Sequence, residues 1–352
     1  MKKLLIIATV YRVGERIYSA IPKLSEHFDI DVMFINEMSS QMNWYGSVDP
    51  RIKFKTIYSS YINKFYDTGF ESTNESPAKL LFELPLNYDL ILYDDDRTRY
   101  GIETVYKRAT CPMVGCMHGA GVGYDKARFE NSLNRAFDYL CVFGKKDERL
   151  YDDRNYILKI GVPSNDILRH GLSWSEHILV ITNLLGNHAG YSQCPVQVDK
   201  YFIDQLGLLE LQQEFKHKVI FKLKSRLNNP KNDIEYMKSI VNPELKYEII
   251  LDGDNNELVR SSFIVISAPS TFAFKSIQLG IPTILIKGAG IIGQFHDFRG
   301  LVKLDTQTIF DEIEFQHNSN EDKDEKFILD TIEGGIDFTS TEIFVNRLKD
   351  LV

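Results

Sequence analysis

The chain has 352 residues, 43% of them hydrophobic and 26% charged, with a formal net charge of −8 at pH 7. That length suits two domains of about 150 to 170 residues better than one core. The acidic balance excludes a strongly cationic face for duplex DNA, and no stretch reaches the roughly 18 uninterrupted apolar residues of a membrane-spanning helix.

The opening, MKKLLIIATVYRVGERI, carries two lysines before an apolar run, as a signal peptide does. That run is only about seven residues long and no small-residue cleavage site follows, so it reads as a first buried strand. GERIYSAIPKLSEHF follows with Ile17, Ile21 and Leu24 on one helical stripe. DIDVMFIN, YDLILYDD, CPMVGCM and DYLCVFG are short apolar runs bounded by turn or charged residues, and YILKIGVPSNDIL closes the series with a Gly-Val-Pro turn. The pattern restarts at HILVITNLLGN. It continues through a long helical stretch near DKYFIDQLGLLELQQEF, the strands KVIFKLK and YEIILD, and the helix NNELVRSS. The unit FIVISAPSTFAFKSIQLGIPTILIKGAG follows, then a polar stretch QHNSNEDKDEKF and a last helix STEIFVNRLKDLV.

Continuous apolar strands separated by helices indicate parallel sheets covered on both faces. The expected fold is α/β, with two doubly wound Rossmann-like domains facing each other across a cleft. Residues 1–168 form the first and 169–352 the second, whose last helix is free to pack back on the first. Ligands in such sheets bind beyond the carboxyl ends of the strands. Cys111, Cys116, Cys141 and Cys194 sit in apolar runs without metal-ligand spacing, as buried hydrophobes of a reducing cytoplasm do.

Three stretches carry candidate chemistry. In SAPSTFAFKSIQLG, a strand ends in the turn Ala268–Thr271 and a helix follows. Ser270 or Thr271 is placed to cap that helix, whose free N–H groups and dipole suit a diphosphate. Lys222 and Lys224 alternate at the end of a strand and share a face, toward either a ligand or solvent. In CMHGAGVGYD, His118 precedes Gly119, Gly121 and Gly123, and such glycines serve either a turn or close backbone approach. Asn183, Asn187 and His188 follow the strand of HILVITNLLGN. Gly290, Gly293, Gln294 and His296 follow TILI. Asp94, Asp95 and Asp96 read as helix-capping and surface carboxylates before they read as a metal site.

From HGAGVGYD through FDYLCVFGKKDERLY and ILKIGVPSNDIL to NELVRSSFIVISAPSTFAFKSIQLGIPTILI, the chain resembles the two-domain glycosyltransferase fold called GT-B. Within it, the order and spacing resemble the CDP-glycerol glycerophosphotransferase group of polymer-building enzymes and, more distantly, UDP-N-acetylglucosamine 2-epimerase. The resemblance implies that the SAPST segment holds a donor's phosphates and that His118 is a general base, a role its ordinary pKa suits. A hydrogen-bonded histidine in a tight glycine turn is the alternative. It also implies that the loop of Gly290 and His296 lies where donors bind and that neither metal nor cofactor is required. By position, Gly119 and Gly121 beside the donor and Asn183 and His188 in a loop facing the cleft are further donor-site candidates, and Lys222 and Lys224, if they face the cleft, neutralise the leaving diphosphate.

Some residues depart from the group's pattern. Met117 stands where the phosphotransferases carry tryptophan, no histidine follows VIFKLKSR, and SAPST lacks an acidic residue. Lys275 and Gln278 stand near where the epimerases use glutamates to hold the ribose. The expected activity is transfer of a glycosyl or polyol-phosphate group from a nucleotide-activated donor to a hydroxyl of a glycan or cell-surface polymer. A nucleic-acid-modifying glycosyltransferase, a sugar-nucleotide epimerase and an inactive nucleotide-binding scaffold are the alternatives. The expected location is the cytoplasm; association with the inner face of the membrane and the oligomeric state stay open.

Overall fold

A computed structural model describes residues 1–8, 17, 19–34, 53–56, 86–94, 102–117, 137–148, 156–170, 177–186, 195–223, 230–251, 253–290, 292–318 and 324–352. The chain forms two compact units, Met1–Asp166 with Leu329–Val352, and Ile167–Ile328.

In the first unit the apolar runs become strands β1 (Lys2–Ala8), β2 (Phe28–Phe34), β3 (Lys53–Thr56), β4 (Leu90–Tyr93), β5 (Met113–Cys116), β6 (Tyr139–Val142) and β7 (Ile157–Lys159). They form one parallel sheet in the order β3-β2-β1-β4-β5-β6-β7. Side chains alternate across it, so a strand buried on both faces must be apolar throughout. Leu4, Ile6 and Ala8 enter one core with Leu90, Leu92 and Val114. Leu5 and Ile7 enter the other with Ile91, Tyr93 and Met113.

The second unit repeats the plan. Strands β8 (His177–Ile181), β9 (Lys218–Lys222), β10 (Tyr247–Ile250), β11 (Ser262–Ser267), β12 (Thr283–Ile286) and β13 (Leu301–Val302) lie parallel in the order β10-β9-β8-β11-β12-β13. Ile178 and Val180 face one core and Leu179 and Ile181 the other. Both sheets grow outward from a central strand and then reverse direction, between β1 and β4 and between β8 and β11. Two doubly wound Rossmann-like domains of this kind are the GT-B architecture, and each reversal opens a crevice at the carboxyl ends of its two strands.

Several details refine the sequence reading. The long helical stretch read near DKYFIDQLGLLELQQEF is two helices, Val196–Gln205 and Leu208–Phe215, parted by Gly207 at φ 61°. β3 and β13 were not expected. β3 has the lysine-alternating sequence KFKT of an edge strand, and β13 is only two residues long. The closing helix Ser340–Lys349 buries Phe344, Val345 and Leu348 among the β1 and β2 side chains. Its first N–H groups, on Ser340 and Thr341, donate to the Asp166 carboxylate. Gly161, at φ 66°, lets the chain before that helix approach, since a Cβ there would stand 2.0 Å from Glu333 O.

Candidate functional site

The crevice of the second sheet is built from the segments that leave β8 and β11. β8 runs into a short 3-10 turn, Thr182–Leu184, and β11 into Ala268-Pro269-Ser270-Thr271. Asn183 joins the two: its Oδ1 accepts the Ala268 N–H at 3.2 Å and lies 3.3 Å from Ser267 Oγ. Thr182 Oγ1 donates to Lys222 O at 3.2 Å, tying in the end of β9. Asp199, almost fully buried, accepts the Gly186 N–H at 2.8 Å and the Tyr236 hydroxyl at 2.6 Å, which holds the loop after β8 against two helices.

Among the described residues of the second unit, three buried polar side-chain atoms have no hydrogen-bond partner: Ser270 Oγ, Asn255 Oδ1 and Asp233 Oδ2. They lie in the first turns that follow β11, β10 and β9, all at the carboxyl edge of the sheet. An unsatisfied buried polar group costs about 1–3 kcal/mol. Natural folds tolerate few of them, and each calls for an explanation; of the three, the Ser270 hydroxyl is the donor that a phosphate oxygen can satisfy.

Ser270 and Thr271 do not cap the helix as the sequence suggested. Phe272 occupies the cap position of Ala273–Gln278 without a side-chain bond. Main-chain oxygens take the early donors instead: Ala273 N donates to Ser270 O at 3.0 Å and Phe274 N to Thr271 O at 3.3 Å. A tight turn into the helix therefore leaves the Ser270 hydroxyl for something else. Gly290 lies over the same turn, where a Cβ would stand 3.6 Å from Ala268 Cβ and Pro269 O. Gly293 and the fully buried Gln294 form a 3-10 turn beyond it. His296 is exposed, its Nδ1 3.3 Å from Gly293 O.

Lys222 departs from both orientations weighed from the sequence. Its Nζ donates to the main-chain oxygens of Leu223, at 3.3 Å, and Leu251, so it joins the ends of β9 and β10. Asp94, read from sequence as a surface carboxylate, is fully buried at the carboxyl end of β4, and its N–H donates to Ile7 O at 3.2 Å. That places it in the crevice of the first sheet. His118, Gly119, Gly121, Gly123, Asn187, His188, Lys224, Asp95 and Asp96 lie outside the described residues. Among the described residues no three His, Cys, Asp or Glu side chains converge as metal ligands, and no helix is long and apolar enough to cross a membrane.

Asp199 and Asn255 escape a sequence reading because each sits in a segment that reads simply as helix, and the segment of Asp233 carries no motif at all. Their signal was positional, since each opens the helix following a strand of the second sheet.

No family model matches the sequence, and no curated relative matches it significantly. Solved structures are similar over the whole chain. The UDP-GlcNAc 2-epimerase of Methanocaldococcus jannaschii is 15% identical with a TM-score of 0.65, covering 99% of each chain. The UDP-GlcNAc 2-epimerase of Neisseria meningitidis, bound to UDP-GlcNAc, is 14% identical with a TM-score of 0.62, covering 99% of this chain and 100% of that one. A glycosyltransferase of kitacinnamycin is 9% identical with a TM-score of 0.57, covering all of both chains. The fold is GT-B with a distant resemblance to the epimerases. These neighbours lend nothing to the CDP-glycerol group, which rests on the sequence motifs alone.

Proposed function

We propose that the chain is an enzyme acting on a sugar or polyol activated by a nucleoside diphosphate, with the diphosphate received at the carboxyl edge of the second sheet. The observation that carries this reading is the buried Ser270 hydroxyl without a partner, beside the Asn183–Ala268 bond and under Gly290. A phosphate oxygen there accepts the Ser270 proton in a charge-assisted bond stronger than a neutral one. Asn183 is a positioning residue that keeps the turn in place. Lys222 holds the strand ends, and Lys224, with the Gly290 and His296 loop, completes the donor side.

In the transferase reading the acceptor is a hydroxyl of a glycan or cell-surface polymer and His118 takes its proton. An imidazole of ordinary pKa does so near neutral pH, and no metal is needed. The full-length likeness to UDP-GlcNAc 2-epimerases supports a second reading, in which the sugar is epimerised while still attached to its nucleotide. Against it, the helix after the turn offers no glutamate: Lys275 donates to Asn256 Oδ1, and Gln278 is buried.

Incubation with UDP-GlcNAc in D2O, followed by NMR, separates the two. Transfer releases UDP only when a hydroxyl acceptor is added and leaves the sugar carbons protonated. Deuterium at the epimerised carbon, with no UDP released, would overturn the transferase reading. His118→Ala is expected to reduce transfer about 10²- to 10⁴-fold while UDP still binds.

A further inference from the structure

The first unit carries an open pocket of about 730 Å³ at the amino-terminal ends of β5, β6 and β7. Ligand crevices in doubly wound sheets lie at the opposite, carboxyl ends, so this pocket is separate from the nucleotide site proposed above and does not rest on that reading. Its walls are aromatic. Tyr106 comes from the helix Ile102–Arg108, Phe137 and Tyr139 flank the start of β6, and Tyr156 precedes β7.

The walls are held in place. Phe137 stacks on Tyr93 at 5.6 Å and rests on Gly115, where a Cβ would come within 2.9 Å of its ring. Tyr139 and Tyr156 meet edge to face at 5.5 Å. Asp138 lies between Phe137 and Tyr139 in sequence, its Oδ1 accepting from the Tyr106 hydroxyl at 3.2 Å and its Oδ2 from Met113 N at 2.8 Å. Tyr156 is 56% exposed, so its ring is open to a ligand from solvent.

Among the described lining residues the charge is negative. Asp138 supplies a carboxylate, and the carboxyl end of the helix Ile102–Arg108 faces the pocket through Ala109 and Thr110 with its negative dipole end. Burial raises the Cys111 thiol pKa, and Asp89 and Asp138 raise it further. Asp89 is itself engaged with the Lys3 main chain and the Lys2 ammonium. Lys107 and Arg108 lie on the same helix but exposed, off the face formed by Tyr106, Ala109 and Thr110. Among the described lining residues none is cationic.

Aromatic faces beside a carboxylate attract an ammonium group, the faces through cation–π interaction. We propose that this pocket is a binding site for a small organic ammonium ion, its charge on the tyrosine faces beside Asp138 and its carbon body against Phe137.

The test is calorimetry on the full chain with choline, its neutral isostere 3,3-dimethyl-1-butanol, and Nα-acetyl-lysine amide as a peptide-borne ammonium. Choline is expected to bind at least about fivefold more tightly than the isostere, the range of a partly desolvated cation–π contact. Tyr156→Ala, at a half-exposed position, should weaken choline about fivefold, lower the melting temperature by no more than a few degrees through the lost Tyr139 contact, and leave UDP affinity unchanged. Asp138→Asn keeps an acceptor for Met113 N and should weaken choline as well. Preference for the lysine amide over choline would assign the site to a protein side chain and overturn the small-molecule proposal. Equal binding of choline and its isostere, no binding of either, or an unchanged affinity in Tyr156→Ala would also overturn it.

Discussion

Asn183→Ala removes the side-chain acceptor of the Ala268 N–H, in a residue that is 3% exposed. The Ser267 hydroxyl keeps Ala268 O at 2.7 Å as an alternative, so its share of the loss is small. The stranded amide dominates, and a buried donor left unmatched costs about 1–3 kcal/mol. Asn183→Asp retains an oxygen at the same position and should recover most of that loss. Urea denaturation followed by circular dichroism reads the stability, with an unchanged m-value showing that the two end states are the same. Because Asn183 anchors the turn bearing Ser270, UDP affinity should also fall about tenfold, equivalent to roughly 1.4 kcal/mol. A destabilisation below about 0.5 kcal/mol, with UDP affinity unchanged, would refute the view that Asn183 holds the two strand ends together.

Other substitutions probe other parts of the frame. Gly161→Ala should cost about 3 kcal/mol or more, since it combines positive φ with a Cβ 2.0 Å from Glu333 O; a melting temperature near the parent's would contradict the close approach. Burial holds the Asp166 carboxyl above its ordinary value, against the pull of the Thr341 and Ser340 donors. Its stabilising contribution is therefore complete below the ordinary carboxylate pKa of about 3.9 and is lost as pH rises through the raised folded value. Relative to Asp166→Asn, the parent should gain stability as pH falls through that window; a gap that narrows would reverse the sign. Lys222→Met should lower stability by about 1 kcal/mol, through bonds lost to Leu223 O and Leu251 O, and change UDP affinity less than about twofold. A large affinity loss at unchanged stability would return Lys222 to the ligand.

The central strands were legible because they are buried on both faces, so runs such as LLIIA, LILY and FIVIS are apolar without interruption. β3 escaped because KFKT alternates charge and bulk at a sheet edge, a pattern many loops share. The division at Gly207 escaped because apolar spacing runs straight through it while the backbone turns left-handed. At the site, the position of the SAPST turn after a buried strand was readable, and the bonding within it was not. Whether a serine caps a helix or leaves its hydroxyl unmatched depends on which main-chain oxygens reach the first N–H groups. That is set by a turn geometry many sequences adopt. Asp94 misled for a related reason: in a run of three acidic residues, nothing local distinguishes the one that the sheet end encloses.

The central claim is that the unmatched hydroxyl of Ser270 awaits a diphosphate. Calorimetric titration of the parent and of Ser270→Ala with UDP and with uridine tests it directly, with CDP, GDP and CMP alongside to identify the base. Without ligand, the alanine variant should be as stable as the parent or slightly more so, because it removes a buried group that has no partner. Its UDP affinity should fall about tenfold or more, the worth of one charge-assisted bond, while uridine binding changes less than about twofold. Equal losses for UDP and uridine, or undiminished UDP binding in the variant, would contradict the assignment of the diphosphate to this turn.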